Sequence, residues 1–308
     1  MSTQPKGWGA DNAAMSLPRP VYPGATYLIT RRVSQRMYLL RPSRPVDQVV
    51  QYSIAVAARK YGVVLHAITV MSNHYHMVVT DPHGRLPDFE RWCNSIIARA
   101  LNAHYGRWEN FWATEQPSNV RLLGAADVLA KMVYTLSNPV AAGLVSHGDK
   151  WPGIRLFSPG VRKIARPRGF FVEEGGLPDV VALELVAPPL ALPSHEAYRL
   201  VLESVAAKEV ELRDSFRRQG RSFLGASRVL AQKVSDSPVT VEPRRQLSPR
   251  VACRNTWQRV EVLQRCKVFL TEYRAAFQAW KSRIKGVLFP YGTFLVSQRF
   301  GAMVAAPS

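Results

Sequence analysis

Acidic residues are scarce in this chain: 22 Asp and Glu stand against 41 Lys and Arg, a formal charge of +19 with a pI near 10.3. That imbalance speaks for a polyanionic partner and says nothing of the fold. Cysteine is nearly absent. Cys93, Cys253 and Cys266 are odd in number and have no paired spacing, so they read as reduced thiols in a cytoplasm. No apolar run approaches the roughly 20 residues of a membrane span, and the best candidate, around residues 180–192, is broken by Pro188 and Pro189. The start of the chain, with Gly7, Gly9, Asp11 and Asn12, lacks the apolar core of a signal peptide, and no internal repeat is found. What the chain does have is 47% apolar content, ample for a buried core over one to two domains.

Residues 70–79 alternate apolar and polar side chains and are bounded by turn-forming residues, the pattern of a half-buried strand. On a strand, residues two apart share a face, so His74 and His76 point one way and Tyr75, Met77 and Val79 the other. Two imidazoles on one sheet face are part of a metal site, and a third ligand has to come from elsewhere. A bare His-x-His is equally the mark of histidines on a solvated strand. A second stretch, residues 134–140, lies at the end of a helical run, where Tyr134 and Asn138 are four apart and share a face. Asn138 precedes Pro139, so it is open to two readings, a helix-ending residue or the third ligand.

Together the two stretches resemble a known family. His74-Tyr75-His76 has the His-hydrophobic-His form of the HUH nucleases, and residues 71–79 are similar to its setting in the single-tyrosine transposases. Residues 134–145, Y-T-L-S-N-P-V-A-A-G-L-V, are similar to the tyrosine helix of the REP-associated branch. Ser72 departs from the proline common in the family, at a position that is not a ligand. The resemblance covers residues 24–157. It implies a DNA transposase that cleaves and rejoins single-stranded DNA near hairpins, REP-like repeats among them, through a 5′-phosphotyrosine. It also implies Tyr134 as nucleophile, His74, His76 and Asn138 as metal ligands, no membrane, a monomer or homodimer, and a bacterial, nucleoid-associated, cytoplasmic setting. A tyrosine with an ordinary pKa near 10 is a weak nucleophile at pH 7, so a divalent cation on the phosphate is expected to help it. Two imidazoles with an amide suit Mg²⁺ or Mn²⁺, the latter tolerating nitrogen better. The alternative is a non-catalytic hairpin-binding protein on the same fold. RNA binding by the sheet would need exposed aromatics where the histidines stand.

In chain order, residues 26–33 read as a strand and 46–61 as a helix opened by Pro45 and ended by Gly62. Strands at 63–70 and around the histidines form a hairpin, and His66 on the first of them is a packed histidine rather than a fourth ligand. A helix at 86–105, a strand at 120–123 and a helix at 127–137 complete the region. The order predicts an α+β fold, a ferredoxin-like antiparallel sheet with helices on one side, the third helix being an appendage, plus a mainly helical C-terminal extension. The expected divisions are a flexible tail 1–23, a catalytic domain 24–157, a basic Pro/Gly-rich linker 158–193 and a basic helical region 194–308. Arg31, Arg32 and Arg36 at the end of the first strand line a nucleic-acid groove or are simply solvated. Helices at 194–218 and 226–233 flank a glycine-containing turn, so Arg217, Arg221 and Arg228 belong to a helix-turn-helix or to a plain helical hairpin. Residues 235–250 read as a loop, and 255–285 as one long amphipathic helix.

Overall fold

The sheet begins with β1 (Ala25–Arg32), whose β-branched and aromatic residues alternate between two buried faces. A computed structural model describes residues 18–171, 176–239 and 249–307, so most of the expected N-terminal tail and of the 235–250 loop lies outside the described residues. Helix α1 (Arg44–Tyr61) is capped by Ser43, whose Oγ accepts from the Val46 amide at 3.4 Å, and ends at Gly62 with φ +69°, a left-handed position that glycine takes without strain. β2 (Val64–Met71) turns at Ser72 and Asn73 into β3 (His74–Asp81). Then come α2 (Leu86–His104), β4 (Ser118–Leu122) and α3 (Ala125–Ala141). β3 pairs antiparallel with β2 on one side and β1 on the other, and β1 pairs antiparallel with β4, giving the central order β2-β3-β1-β4.

The chain is α+β, and its sheet is mixed and covered on both faces. One face carries Tyr27, Ile29, Tyr75, Met77 and Val79 under α1 and α2. The other carries Leu28, Ala67 and Val78 under Val128, Met132 and Leu136 of α3 and under Ala197, Val201 and Val205 of α4 (Ser194–Arg218). Helices on one side only, with α3 as an appendage, is therefore corrected. The apolar stripe of α4, with its period of four, buries the face that the sequence pattern of β3 leaves polar.

Residues 158–193 do not form a linker. They supply β6 (Gly160–Ala165) and β7 (Val180–Leu185), following β5 (Arg155–Leu156), and these extend the same sheet, β7 parallel to β2 and β5 antiparallel to it. Val181, Leu183 and Leu185 alternate into the core against α1, which is why a Pro- and Gly-punctuated stretch still holds a strand. A short α5 (Ala226–Ala231) and β8 (Val251–Ala252), parallel to β4, follow before α6 (Thr256–Lys281).

The described residues divide into two compact units, one within 22–262 and one made of 18–21 with 263–307, the division falling inside α6. Within the smaller unit, β9 (Leu288–Phe289) pairs parallel with β10 (Met303–Val304), and α7 (Leu295–Phe300) lies between them in sequence. The ring of Tyr273 meets that of Phe289 at 5.6 Å, and Trp280 meets Phe300 at 5.4 Å, so the aromatic stripe of α6 builds this unit's core. All three cysteines are free and buried, and among the described residues no helix is long and apolar enough to cross a membrane.

Candidate active site

Four of the residues singled out from the sequence meet between β3 and α3. The hairpin puts His74 and His76 on the face beneath α3, and the two rings stand edge to face with centroids 4.7 Å apart. His76 is buried at 3% exposure, and its Nδ1 lies 2.8 Å from Thr30 Oγ1 on the paired strand. His74 Nδ1 donates to Asn73 Oδ1 at 2.6 Å. With both Nδ1 atoms engaged in this way, the Nε2 lone pairs are the ones left for another group. One amide reaches both rings: Asn138 Nδ2 is 3.3 Å from His76 Nε2, and the same side chain hydrogen-bonds His74. Turning that amide over leaves its shape unchanged and presents Oδ1 instead.

Asn138 does not end its helix. α3 runs on through Pro139 to Ala141, and the Ala142 amide donates to the Asn138 carbonyl at 2.9 Å, so the backbone is helical and the side chain is free to work. Pro139 has no N–H for the Thr135 carbonyl, and the helix continues because its last turn is closed by Ala142, Gly143 and Leu144. The reading of Asn138 as a cap falls away. One turn earlier, Tyr134 packs its ring at 5.1 Å from that of His76 while remaining 46% exposed.

Burial keeps both imidazoles neutral. His74 is pushed down to about 4, chiefly by desolvation and then, against its bond to Asn138, by the charges of Arg32 and Arg36. His76 is held well below the usual histidine value by burial, with His74 and Lys131 adding to it. Neutral imidazole is the form that ligates a cation. A divalent ion fits this donor set, two imidazole Nε2 atoms and an amide oxygen with an accessible side at Tyr134. Among the described residues no group of three or more His, Cys, Asp and Glu could hold a metal.

The other expected residues fall in three places. Arg32 is the cross-strand partner of His74, and it and Arg36 both act on His74 electrostatically, so these two belong to the site. Arg31 points to the opposite face, with its guanidinium over Trp112 at 5.6 Å and donating to the Glu115 carbonyl, and this corrects its assignment to a DNA groove. Arg217, Arg221 and Arg228 gather around the turn between α4 and α5: Arg217 pairs with Asp214 at 3.1 Å, Arg221 stacks on Phe216 at 4.1 Å, and Arg228 is exposed. α5 has six residues, its Val229 is buried in a cluster with Met71, Val140, Val145 and Trp151, and the Leu224 and Gly225 amides donate to the carbonyls of Gly143 and Leu144 at 2.9 Å. That is a helical hairpin pinned to the end of α3, with no free recognition helix.

His66 is the packed histidine expected of it, buried between Thr80 Oγ1 at 2.8 Å and the Val186 carbonyl at 3.1 Å. Asp81 accepts from the amides of Arg85 and Leu86 at 2.8 and 2.7 Å, so its carboxylate serves the start of α2. Sequence reasoning missed Thr30 and Lys131. Lys131 Nζ lies 5.5 Å from the centre of the Tyr134 ring, and its position three residues before Tyr134 on one helix was a usable signal. Thr30 could be found only through the strand register.

No family model matches the chain, and no curated protein does. Among solved structures it is similar to one of a REP-associated tyrosine transposase bound to a REP hairpin, at 20% identity over 45% of this chain and 81% of that one, with a TM-score of 0.39. It is also similar to a crystal structure from Deinococcus radiodurans R1 described as that of a transposase, at 18% identity over 34% of this chain and 85% of that one, with a TM-score of 0.27.

Proposed function

We propose that this chain is a single-tyrosine DNA strand transferase of the HUH type, acting on single-stranded hairpin DNA with Mg²⁺ or Mn²⁺. The observation that carries the reading is that His74, His76, Asn138 and Tyr134, drawn from a strand and a helix some 60 residues apart, share one site. The order β4-β1-β3-β2 with α1 and α2 on one face supports the ferredoxin-like reading of the central sheet.

When bound by His74, His76 and Asn138, the cation supplies positive charge to a non-bridging phosphate oxygen. The chain's own residues do the rest. Thr30 and Asn73 fix the two rings with Nε2 outward, and Asn138 bridges them. Tyr134 presents its ring at the half-exposed edge of the site, with Lys131 beside it and Arg32 and Arg36 near enough to His74 to act on it electrostatically. Those three cations favour a phosphodiester there. Attack by the tyrosine oxygen forms the Tyr134–phosphorus bond and breaks the bond to the 3′ oxygen. The tyrosine gives up its hydroxyl proton to water as it attacks, and the 3′ oxygen takes one from water and leaves as a hydroxyl. A second 3′ hydroxyl reverses the step, because the phosphotyrosine link keeps the energy of the bond it replaced.

The test is Tyr134→Phe. Wild type is expected to form a covalent protein–DNA adduct on a hairpin with a single-stranded flank, and the variant to form none while binding the same DNA within about twofold. Equal inertness of both proteins, with binding retained, would leave a hairpin-binding protein without the chemistry.

A further inference from the structure

The segment of α3 between Tyr134 and Asn138 is gripped from outside the site by a buried ion pair. Four cross-strand partners form one row over the sheet: Thr30 opposite His76, His76 opposite Thr69, and Thr69 opposite Arg155 of β5. α3 lies across that row. At one end Asn138 meets His76, and at the other Arg155 Nε donates to the Leu136 carbonyl at 2.8 Å. Arg155 in turn is held by Glu209 of α4, Nη2 to Oε1 at 3.3 Å, the two side chains being 13% and 10% exposed.

Glu209 breaks a pattern. It continues the stripe Ala197, Val201, Val205, in which every fourth residue of α4 is buried, with a carboxylate where the stripe calls for an apolar residue. It also accepts from the Gly148 amide at 3.1 and 3.2 Å, and a Cβ at Gly148 would stand 2.5 Å from both Arg155 Cζ and Glu209 Oε1, so a residue without a side chain lets the three come together. A buried ion pair adds little stability over well-packed apolar residues of similar size, because desolvating both charges offsets their attraction. Stability alone does not account for it. What it does add is a directional grip on one helix carbonyl, one residue after Thr135, whose carbonyl gets no N–H from Pro139.

Building on the proposed function, we infer that Arg155 and Glu209 are positioning residues that set where α3 holds Tyr134 and Asn138 over the histidines. Neither touches the site. Their removal should reach the chemistry through α3, leaving DNA binding as it is.

The experiment compares wild type with Arg155→Met/Glu209→Leu, which replaces the pair by apolar residues and leaves Arg213, 3.9 Å from Glu209, with the Ser146 carbonyl it already bonds, and with Arg155→Lys, which keeps the charge and one donor. Three quantities are read on the full-length chain: the single-turnover rate of adduct formation with saturating hairpin DNA, the half-saturating DNA concentration, and hydrogen exchange of the amides of residues 134–142. The double variant should melt within a few degrees of wild type. It should lose at least tenfold in rate with half-saturation within twofold, and exchange the α3 amides at least tenfold faster while those of α1 are unchanged. Arg155→Lys should recover part of the rate. A double variant that folds and cleaves at the wild-type rate overturns the inference. So does α3 exchange equal to wild type, a readout that decides the matter even if the wild-type chain forms no adduct. In that case the proposed function fails by itself.

Discussion

Three histidines buried in neutral form make the stability of this chain steeply pH-dependent in mild acid. His66, His74 and His76 are each held below the ordinary value of 6.5, His74 at about 4. Above pH 6.5 folded and unfolded forms are equally unprotonated at these sites. As pH falls below 6.5 the unfolded chain takes up three protons that the folded chain refuses, so stability is lost toward the folded pKa values. Asp47 works the other way. Its carboxyl, desolvated at the start of α1, is raised to about 7, so below that pH the folded chain holds a proton that the unfolded chain lacks until near pH 4. Near pH 5.5 His74 and Asp47 nearly cancel, so the net uptake is what His66 and His76 refuse, each full proton being worth ~1.4 kcal/mol per pH unit. With a urea m-value of about 3 kcal/mol/M, each such proton should lower the midpoint by roughly 0.5 M per unit between pH 6 and 5. The assay is urea unfolding of the metal-free full-length chain at half-unit steps from pH 7.5 to 5. His66→Gln, away from the residues proposed to hold the metal, should flatten the pH dependence, and Asp47→Asn should steepen it by about 1.4 kcal/mol per unit. A midpoint independent of pH from 6.5 to 5, in wild type and in both variants, would refute the buried neutral imidazoles.

Further expectations concern the site and its support. His76→Ala should abolish metal-dependent cleavage and also cost about 1–3 kcal/mol in urea unfolding, because it leaves Thr30 and the Asn138 amide unpaired under a helix. Loss of activity at unchanged stability would mean that the ring is not packed as described. Asn138→Ala should cleave no DNA and cost about 1–3 kcal/mol in urea unfolding, because it leaves buried imidazole nitrogens unpaired, whereas Asn138→Asp should keep metal binding with an altered Mg²⁺ to Mn²⁺ preference. Wild-type cleavage by Asn138→Ala would leave two protein ligands only. Truncation after Pro188 should give an insoluble or molten protein, since Ala197, Val201 and Val205 then no longer cover Leu28, Ala67 and Val78. A folded, hairpin-binding fragment by circular dichroism and gel shift would contradict the two-faced sheet.

Local pattern carried the first half of the fold well. The alternation through β3, the Pro45 start and Gly62 end of α1, and the spacing of Tyr134 and Asn138 are properties of neighbours in sequence, and the structure has each of them. The second face of the sheet was not legible from β3, because a polar histidine row looks the same under water as under a helix. The i, i+4 stripe of α4 was the signal that some face needed covering, but it did not say which. β6 and β7 were hidden by the glycines and prolines around them and by arginines that sit on an exposed edge. α3 outran its expected end at Ser137 because tertiary bonds to Leu136 and the turn after Ala141 hold it across Pro139. Arg31 was misplaced by one residue of alternation: its neighbour Arg32 faces His74, so Arg31 had to face Trp112.

If Tyr134 is the nucleophile, its attack leaves the new 5′-phosphate end of the cleaved DNA on the protein. Wild-type chain is incubated with Mn²⁺ and a hairpin oligonucleotide carrying different labels on its two ends, the adduct is digested with trypsin, and the DNA-bearing peptide is sequenced by mass spectrometry. One modified peptide is expected, phosphorylated on Tyr134 and joined to the fragment 3′ of the cut, with a free 3′ hydroxyl on the released fragment. An adduct on another residue, a 3′-phosphotyrosine, or cleavage with no covalent species under single-turnover conditions would contradict it.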